Sequence, residues 1–394
     1  MVVESLPIRE RVPLAAMTTL GVGGAARWFM TATTVDAVVD AAHWCHERQI
    51  PMWTLGGGSN LVVSDAGFPG LVLRIAIKGI TFEATGEETR LSAGAGESWD
   101  DVVAAAVGRG FAGVECLSGI PGTVGGTPVQ NVGAYGQEVA KTIESVTAFD
   151  SQRAAIVSIP NSDCEFTYRH SQFKSASPGR FIITGVNFLL REGSPAVRYP
   201  EVRASLEAAA IAAPTVADVR AAVLAIRRRK GMVVDEHDPD SRSVGSFFMN
   251  PIVSPAQRDQ VARVAEEDVP SYPFVDPRRD VSSNEGPRRR GCSDPPDQSV
   301  KLPAAWLIER SGLHKGYTDG AVGISSKHPL AIINRGGATA RDVIRLATHV
   351  KRTVADRFGI ALRPEPIFVG FGEDPLVRYL VSEMTALGDN GSRR

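Results

Sequence analysis

Apolar residues fall at helical spacing in five stretches of the chain and in short, glycine-punctuated runs elsewhere. In 33–48, "TTVDAVVDAAHWCHER", a threonine that can cap precedes Val35, Val38, Val39, Ala42 and Cys45, which predicts a helix. A second helix is expected near 100–108. Over 215–229, Val216, Val219, Val223 and Ile226 share one face of a third, whose basic end runs from Arg227 to Lys230. Ser254-Pro255-Ala256-Gln257 is a capping box with proline at the first helical position, starting a helix to about 267. The longest predicted helix is 340–358, capped by Thr339, stopped by Gly359 and striped by Val343, Ile344, Ala347, Val350, Val354 and Phe358. Strands are expected in "MWTLGGGSNLVVSDAGFPGLVLRI", in "FIITGVNFLL" at 181–190, and in "SVGSFFMNP" at 243–251. The last of these seats a hydroxyl, Ser246, and an amide, Asn250, beside two phenylalanines. The stretch 113–136 is too rich in glycine for a helix and reads as ordered loop. Residues 276–299 are dense in charge, proline and serine, which predicts an exposed loop, and the tail at 383–394 is expected to fray.

Composition narrows the class without naming a function. The 394 residues, 43% of them hydrophobic, suffice for two or three subdomains with ordinary cores. With 43 Lys and Arg against 44 Asp and Glu, no global field gathers nucleic acid or an acidic membrane, so a charged ligand must be held locally. Cysteines 45, 116, 164 and 292 form no CxxC pair, which fits a reducing compartment and argues against a metal. No apolar run is long enough to span a bilayer and the first residues lack a signal-peptide core, so a cytoplasmic protein is expected.

Three glycine clusters compete for a nucleotide. "GVGGAA" at 21–26 has a dinucleotide-fingerprint spacing, but no helical pattern follows it, and no glycine is followed by lysine as a Walker loop requires. "GGGSN" at 56–60 and "GIPGTVGG" at 119–126 lie next to apolar runs and polar side chains. Each could present bare backbone N–H groups to a pyrophosphate, or be no more than a tight turn.

The stretches "TLGGGSNLVVSD", "GIPGTVGGTPVQNVGAYGQE", "YRHSQFK", "GSFFMNP" and "RPEPIFVG" occur in that order. Together they resemble the UDP-N-acetylenolpyruvoylglucosamine reductase family over about residues 13–370. The resemblance implies an α+β chain. Two FAD-binding subdomains of the vanillyl-alcohol-oxidase type would occupy 1–75 and 76–230, and a substrate-binding domain 231–372. It implies FAD held by Gly56, Gly57, Gly58, Ser59 and Asn60, and by Ile120, Pro121, Gly122, Gly125, Gly126, Asn131, Gly133, Ala134 and Tyr135. It further implies NADPH as reductant and a UDP-sugar as substrate, with a monomeric enzyme expected. Ser246 would be the proton donor, with Arg169 and Glu365 at the substrate carboxylate. Tyr168, Tyr199, Lys230, Asn250 and His328 would touch substrate, and Tyr199 suggests the type with a tyrosine-bearing loop. Met249 stands where many relatives carry lysine.

Taken alone, Ser246 would be a strand serine, Asn250 a turn residue before Pro251, and Arg169 a surface arginine; it is the five motifs together that give them chemistry. Two rivals remain, a flavin oxidase of the same superfamily and a silent sugar-nucleotide binder. An oxidase usually tethers its flavin through His or Cys near the first glycine loop, and neither residue occurs between Gly56 and Val114.

Overall fold

The computed structural model describes residues 6–175, 179–274 and 299–383. The exposed loop expected over 276–299 and the tail expected over 383–394 lie outside the described residues, apart from Ser299 and Glu383. The chain divides into two compact units, the first made of Met1–Thr19, Gly23–Ser59 and Ala66–Glu236. The second comprises Leu20–Val22, Asn60–Asp65 and His237–Arg394.

The first unit holds two sheets. Arg9–Pro13, Ala25–Ala32, Phe68–Ile75 and Met52–Leu55 lie side by side in that order, the last three parallel. The predicted first helix, Val35–Glu47, makes the crossover from Ala25–Ala32 to Met52–Leu55, two parallel strands with Phe68–Ile75 between them, and the Thr34 hydroxyl accepts from the Ala37 N–H at 3.1 Å. It buries Val38, Ala41, Ala42 and Cys45. The second sheet is antiparallel, running Ala155–Pro160, Ile143–Asp150, Phe181–Glu192, Glu88–Gly94 and Ile80–Thr85. One hydrophobic core serves both sheets, from Met30 and Leu73 to Phe149 and Phe188, so the two stretches read as subdomains are packed around a common interior. Trp99 sits in it on the helix Trp99–Val107, its indole N–H donating to the Leu117 carbonyl at 3.2 Å.

The helix Val216–Arg229 begins with a capping box between Thr215 and Asp218. The pattern did not reveal its neighbour, the helix Pro200–Ala208, which buries only Val202 and Leu206 and has a proline at its start. With so narrow an apolar stripe, periodicity gives little to read.

In the second unit the long helix Ala340–Phe358 has a Thr339–Asp342 capping box, and Gly359 ends it at φ +68°. Asp65 adds a second cap from far along the chain, its carboxylate accepting from the Ala340 N–H at 2.7 Å and the Arg341 N–H at 3.0 Å. Two short strands, Leu61–Val63 and Ile367–Val369, pair in parallel. The expected strand at 243–251 is not a regular strand. It makes isolated bridges from Ser243 to Ile333 and from Phe248 to Pro364, and Gly245, at φ +75°, turns the chain between them. Two partners on different segments hold it, so no continuous ladder forms.

Lys351 is fully buried on the inner face of the long helix, and its ammonium donates to the carbonyls of Tyr379, Leu380 and Ser382 at 2.7, 3.0 and 2.6 Å. It thereby caps the C-terminal end of the helix Pro375–Val381. Burial drags its pKa down to about 8, so the amine is still charged at pH 7. Lys351→Met keeps most of the volume but strands three carbonyls. It is expected to lower stability by about 2–3 kcal/mol in urea unfolding at pH 7.

Candidate active site

The first glycine loop leaves the carboxyl end of Met52–Leu55 and packs against the second loop so tightly that side chains are excluded. A Cβ on Gly57 would lie 2.5 Å from the Gly122 Cα, and one on Gly56 would lie 2.6 Å from the Thr123 hydroxyl. Gly58, at φ +66°, would drive a Cβ to 1.9 Å from the Met17 carbonyl. Ser59 ties the loops together, its hydroxyl donating to the Pro121 carbonyl at 2.9 Å. The Thr123 hydroxyl is buried at this junction and has no hydrogen-bond partner. A backbone cradle that only glycine permits, with an unspent hydroxyl beside it, suits an anionic cofactor group. Thr123 was not among the expected ligands, although it lies inside "GIPGTVGG".

The second loop is braced from beneath. Asp100 accepts from the Gly119 N–H at 2.6 Å and from both Nη atoms of Arg220 at 2.6 and 2.9 Å. Burial pushes the Asp100 pKa upward, but the arginine and the N–H outweigh it and hold the carboxyl below its ordinary range. Further on, Asn131 is buried at φ +45° with its side chain fully used inside the loop. It donates to Glu138 and to the Thr167 carbonyl, both at 3.1 Å, and accepts from the Ala140 N–H at 3.1 Å. Gly133–Ala134 and Gln137–Glu138 form a hairpin turned by Tyr135 and Gly136, both at positive φ.

Arg169 rests on this hairpin. Thr167 and His170 exchange backbone hydrogen bonds at 3.1 and 3.2 Å, leaving Tyr168 and Arg169 as the two tip residues, with Arg169 at φ +56°. Its Nη2 donates to the Gly133 carbonyl at 2.7 Å. A non-glycine residue held in the left-handed region is strained, and here the strain aims a guanidinium along the loop expected to hold cofactor. Tyr199 meets Tyr135 edge-on, ring centroids 5.3 Å apart. Lys230 bonds Glu201 at 2.5 Å, with its ammonium 5.9 Å from the Tyr135 ring. Burial pushes the Tyr135 phenol up to about 12, against the pull of Arg227. Arg227 donates to the Met232 carbonyl at 2.7 Å while its buried Nε has no partner. Within the run "RRRK" nothing in the sequence distinguished it from its exposed neighbours.

In the second unit backbone hydrogen bonds tie together the segments that carry the remaining candidates. The Phe247 N–H donates to the Leu330 carbonyl at 2.8 Å, the Glu365 N–H to the Phe247 carbonyl at 2.8 Å, and the Met249 N–H to the Arg363 carbonyl at 2.9 Å. Glu365 is thus tied to the residue that follows Ser246, and His328 belongs to the turn just before Leu330, its N–H held by the Ser325 hydroxyl at 3.1 Å. Phe247 and Phe248 sink into the core, their rings 5.2 Å apart, while Ser246 remains partly accessible. Asn250 accepts from the Ala304 N–H at 2.9 Å, which anchors the start of the helix Ala304–Arg310. Asn60 falls in this unit rather than with the glycines before it, and its amide donates to the Glu365 carbonyl at 3.3 Å. Among the described residues no cluster could hold a metal ion.

Residues 237–369 match the family model of the UDP-N-acetylenolpyruvoylglucosamine reductase C-terminal domain, and residues 26–157 match that of an FAD-binding domain. A curated UDP-N-acetylenolpyruvoylglucosamine reductase of Streptomyces avermitilis is 43% identical, over 91% of this chain and 94% of that protein. That of Thermobifida fusca is also 43% identical, over 92% and 98%. The chain belongs to the UDP-N-acetylenolpyruvoylglucosamine reductase family. The crystal structure of the Thermus caldophilus member aligns with a TM-score of 0.60 at 27% identity, covering 92% of this chain and 99% of that one. The family assignment makes the chain an FAD-dependent oxidoreductase, and the glycine cradle with its unspent Thr123 hydroxyl fits that cofactor.

Two outcomes follow from the cradle. Gly57→Ala should force the two loops apart, because the obstacle is the Gly122 backbone and not a flexible side chain; the purified variant should show little flavin absorbance while remaining folded by circular dichroism. Acid precipitation of the native protein should release the yellow colour into the supernatant, since no His or Cys lies between Gly56 and Val114 to tether it.

Proposed function

We propose that this protein reduces the enolpyruvyl ether of UDP-N-acetylglucosamine to the corresponding lactyl ether of UDP-N-acetylmuramate, for peptidoglycan, with NADPH as reductant. The reading rests above all on family membership, and the backbone bond that ties Glu365 to Phe247, the residue after Ser246, supports it. When bound, FAD supplies hydride chemistry, accepting hydride from the nicotinamide and delivering it to the terminal carbon of the enol ether.

The chain's own residues have to manage what that addition leaves behind. The electron pair of the double bond moves to the neighbouring carbon and into its carboxylate as an enolate. Arg169, with a planar fork of donors, grips that carboxylate and holds it more strongly as charge grows. Glu365, in its protonated form, hydrogen-bonds the carboxylate, or it orients the arginine. The Ser246 hydroxyl then gives its proton to the carbon. Its pKa is far too high to serve most bases, but a carbon-centred enolate is basic enough to take it, and the hydroxyl is always protonated near neutrality. Phe247 and Phe248 serve this step by immobilising the backbone that follows Ser246, since their rings belong to the core. Tyr199, Lys230, Asn250 and His328 contact the UDP-sugar, with Tyr199 carried on a segment that folds over it. The enzyme works as a cytoplasmic monomer in this reading, and no helix among the described residues is long and apolar enough to cross a membrane.

Ser246→Ala separates the two halves of the cycle. NADPH should bleach the flavin at nearly the wild-type rate, whereas reoxidation by the enolpyruvyl substrate should fall about 10²- to 10⁴-fold, the range of a positioned general acid. Arg169→Lys should weaken both substrate binding and reoxidation, because a point charge cannot reproduce the bidentate grip. Stopped-flow traces of each half-reaction decide the matter: equal slowing of both halves in Ser246→Ala would make the serine structural.

A further inference from the structure

We propose that Arg74 binds a phosphate of the FAD and thereby sets how tightly the protein holds its cofactor. Arg74 sits in the otherwise apolar run "LVLRI" between Leu73 and Ile75. Those two neighbours are buried, whereas Arg74 is exposed. Among the described residues Arg74 has no hydrogen-bond or ion-pair partner, so its guanidinium is available to a ligand.

Its place in the sheet supplies the use. The parallel pairing sets Arg74 opposite Leu55, the last residue before the first glycine loop, and opposite Thr31 on the other side. Arg74 and Gly56 therefore stand together at the carboxyl ends of adjacent parallel strands, the edge at which open parallel sheets receive ligands. A cavity of about 310 Å³ opens there, lined by Thr18, Thr19, Gly56, Gly57 and Arg74 among others. One wall is bare backbone, able to present N–H groups, and another carries a guanidinium. This combination suits a phosphate, whose oxygens accept from backbone N–H and from a planar fork at once. The phosphates of NADPH and of a UDP-sugar share this chemistry, but the glycine loop lies inside the FAD-binding domain, so the resident dinucleotide has first claim.

The test reads flavin retention and does not depend on turnover. Holoprotein, Arg74→Gln and Arg74→Lys are serially diluted at low and high salt, and free flavin is followed by the recovery of its fluorescence. Arg74→Gln should raise the FAD dissociation constant roughly ten- to hundredfold and flatten its salt dependence, as loss of a charged hydrogen bond to phosphate requires. Arg74→Lys should fall between, keeping the charge and losing the fork. A dissociation constant within about twofold of wild type would overturn the proposal. So would a loss with unchanged salt dependence, which would mean a packing effect. Unchanged retention with a raised KM for NADPH would also overturn it and move the arginine to the reductant.

Discussion

Two stretches of backbone in the first unit approach so closely that neither can carry a side chain where they cross. Gly57 meets the Gly122 backbone with no room for a methyl group, and Gly56 faces the Thr123 hydroxyl. Glycine costs conformational entropy on folding, so such a contact persists only where the surroundings enforce it. They do so here from three directions. Ser59 stitches one loop to the other, Asp100 and Arg220 pin the start of the second, and the Met52–Leu55 strand delivers the first from a sheet that is already packed. The unsatisfied Thr123 hydroxyl sits at this junction, and further along the same loop the hairpin turned by Tyr135 supports Arg169.

The second unit solves a different problem by similar means. Its reactive side chains are placed by main-chain hydrogen bonds from residues 247 and 249 to the segments around 330 and 364. Main-chain bonds of this kind do not depend on the identity of the side chains, which leaves the side chains free for separate tasks. Phe247 and Phe248 go to the core, and Ser246 is left partly accessible. The aromatic surface around the serine is therefore an anchor, and its value for proton transfer lies in the fixity it gives the hydroxyl.

Much of this was legible in the sequence because it rests on local rules. The caps at Thr34, Ser254 and Thr339 form as their side chains foretold, and the helices Val216–Arg229 and Ala340–Phe358 bury their predicted stripes. What escaped were features set by distant partners. The 243–251 segment has strand composition, yet its partners lie on two unrelated segments, so no ladder propagates. Asp65 caps a helix that begins at Ala340, a relation no local window contains. Arg74, Thr123 and Arg227 acquire meaning only from what the fold sets beside them, since each sits within a motif or run whose pattern already had a sufficient explanation.

The way the chain contributes to its two units bears on how it is made. Leu20 and Val22 are core residues of the second unit, as is Val62, and the strand Ile367–Val369 finds its parallel partner in Leu61–Val63. A ribosome therefore emits these pieces early and their partners some three hundred residues later, so the second unit's core stays incomplete until synthesis is nearly finished. The first unit can bury most of its apolar surface in the meantime, but it carries two short apolar segments destined for a neighbour not yet present. Contacts of such long sequence separation close slowly, and the interval exposes Val62 and Val63 to any other strand edge within reach. A fragment beginning at His237 inherits the same gap permanently, with a strand that lacks its partner and a core that lacks three of its side chains.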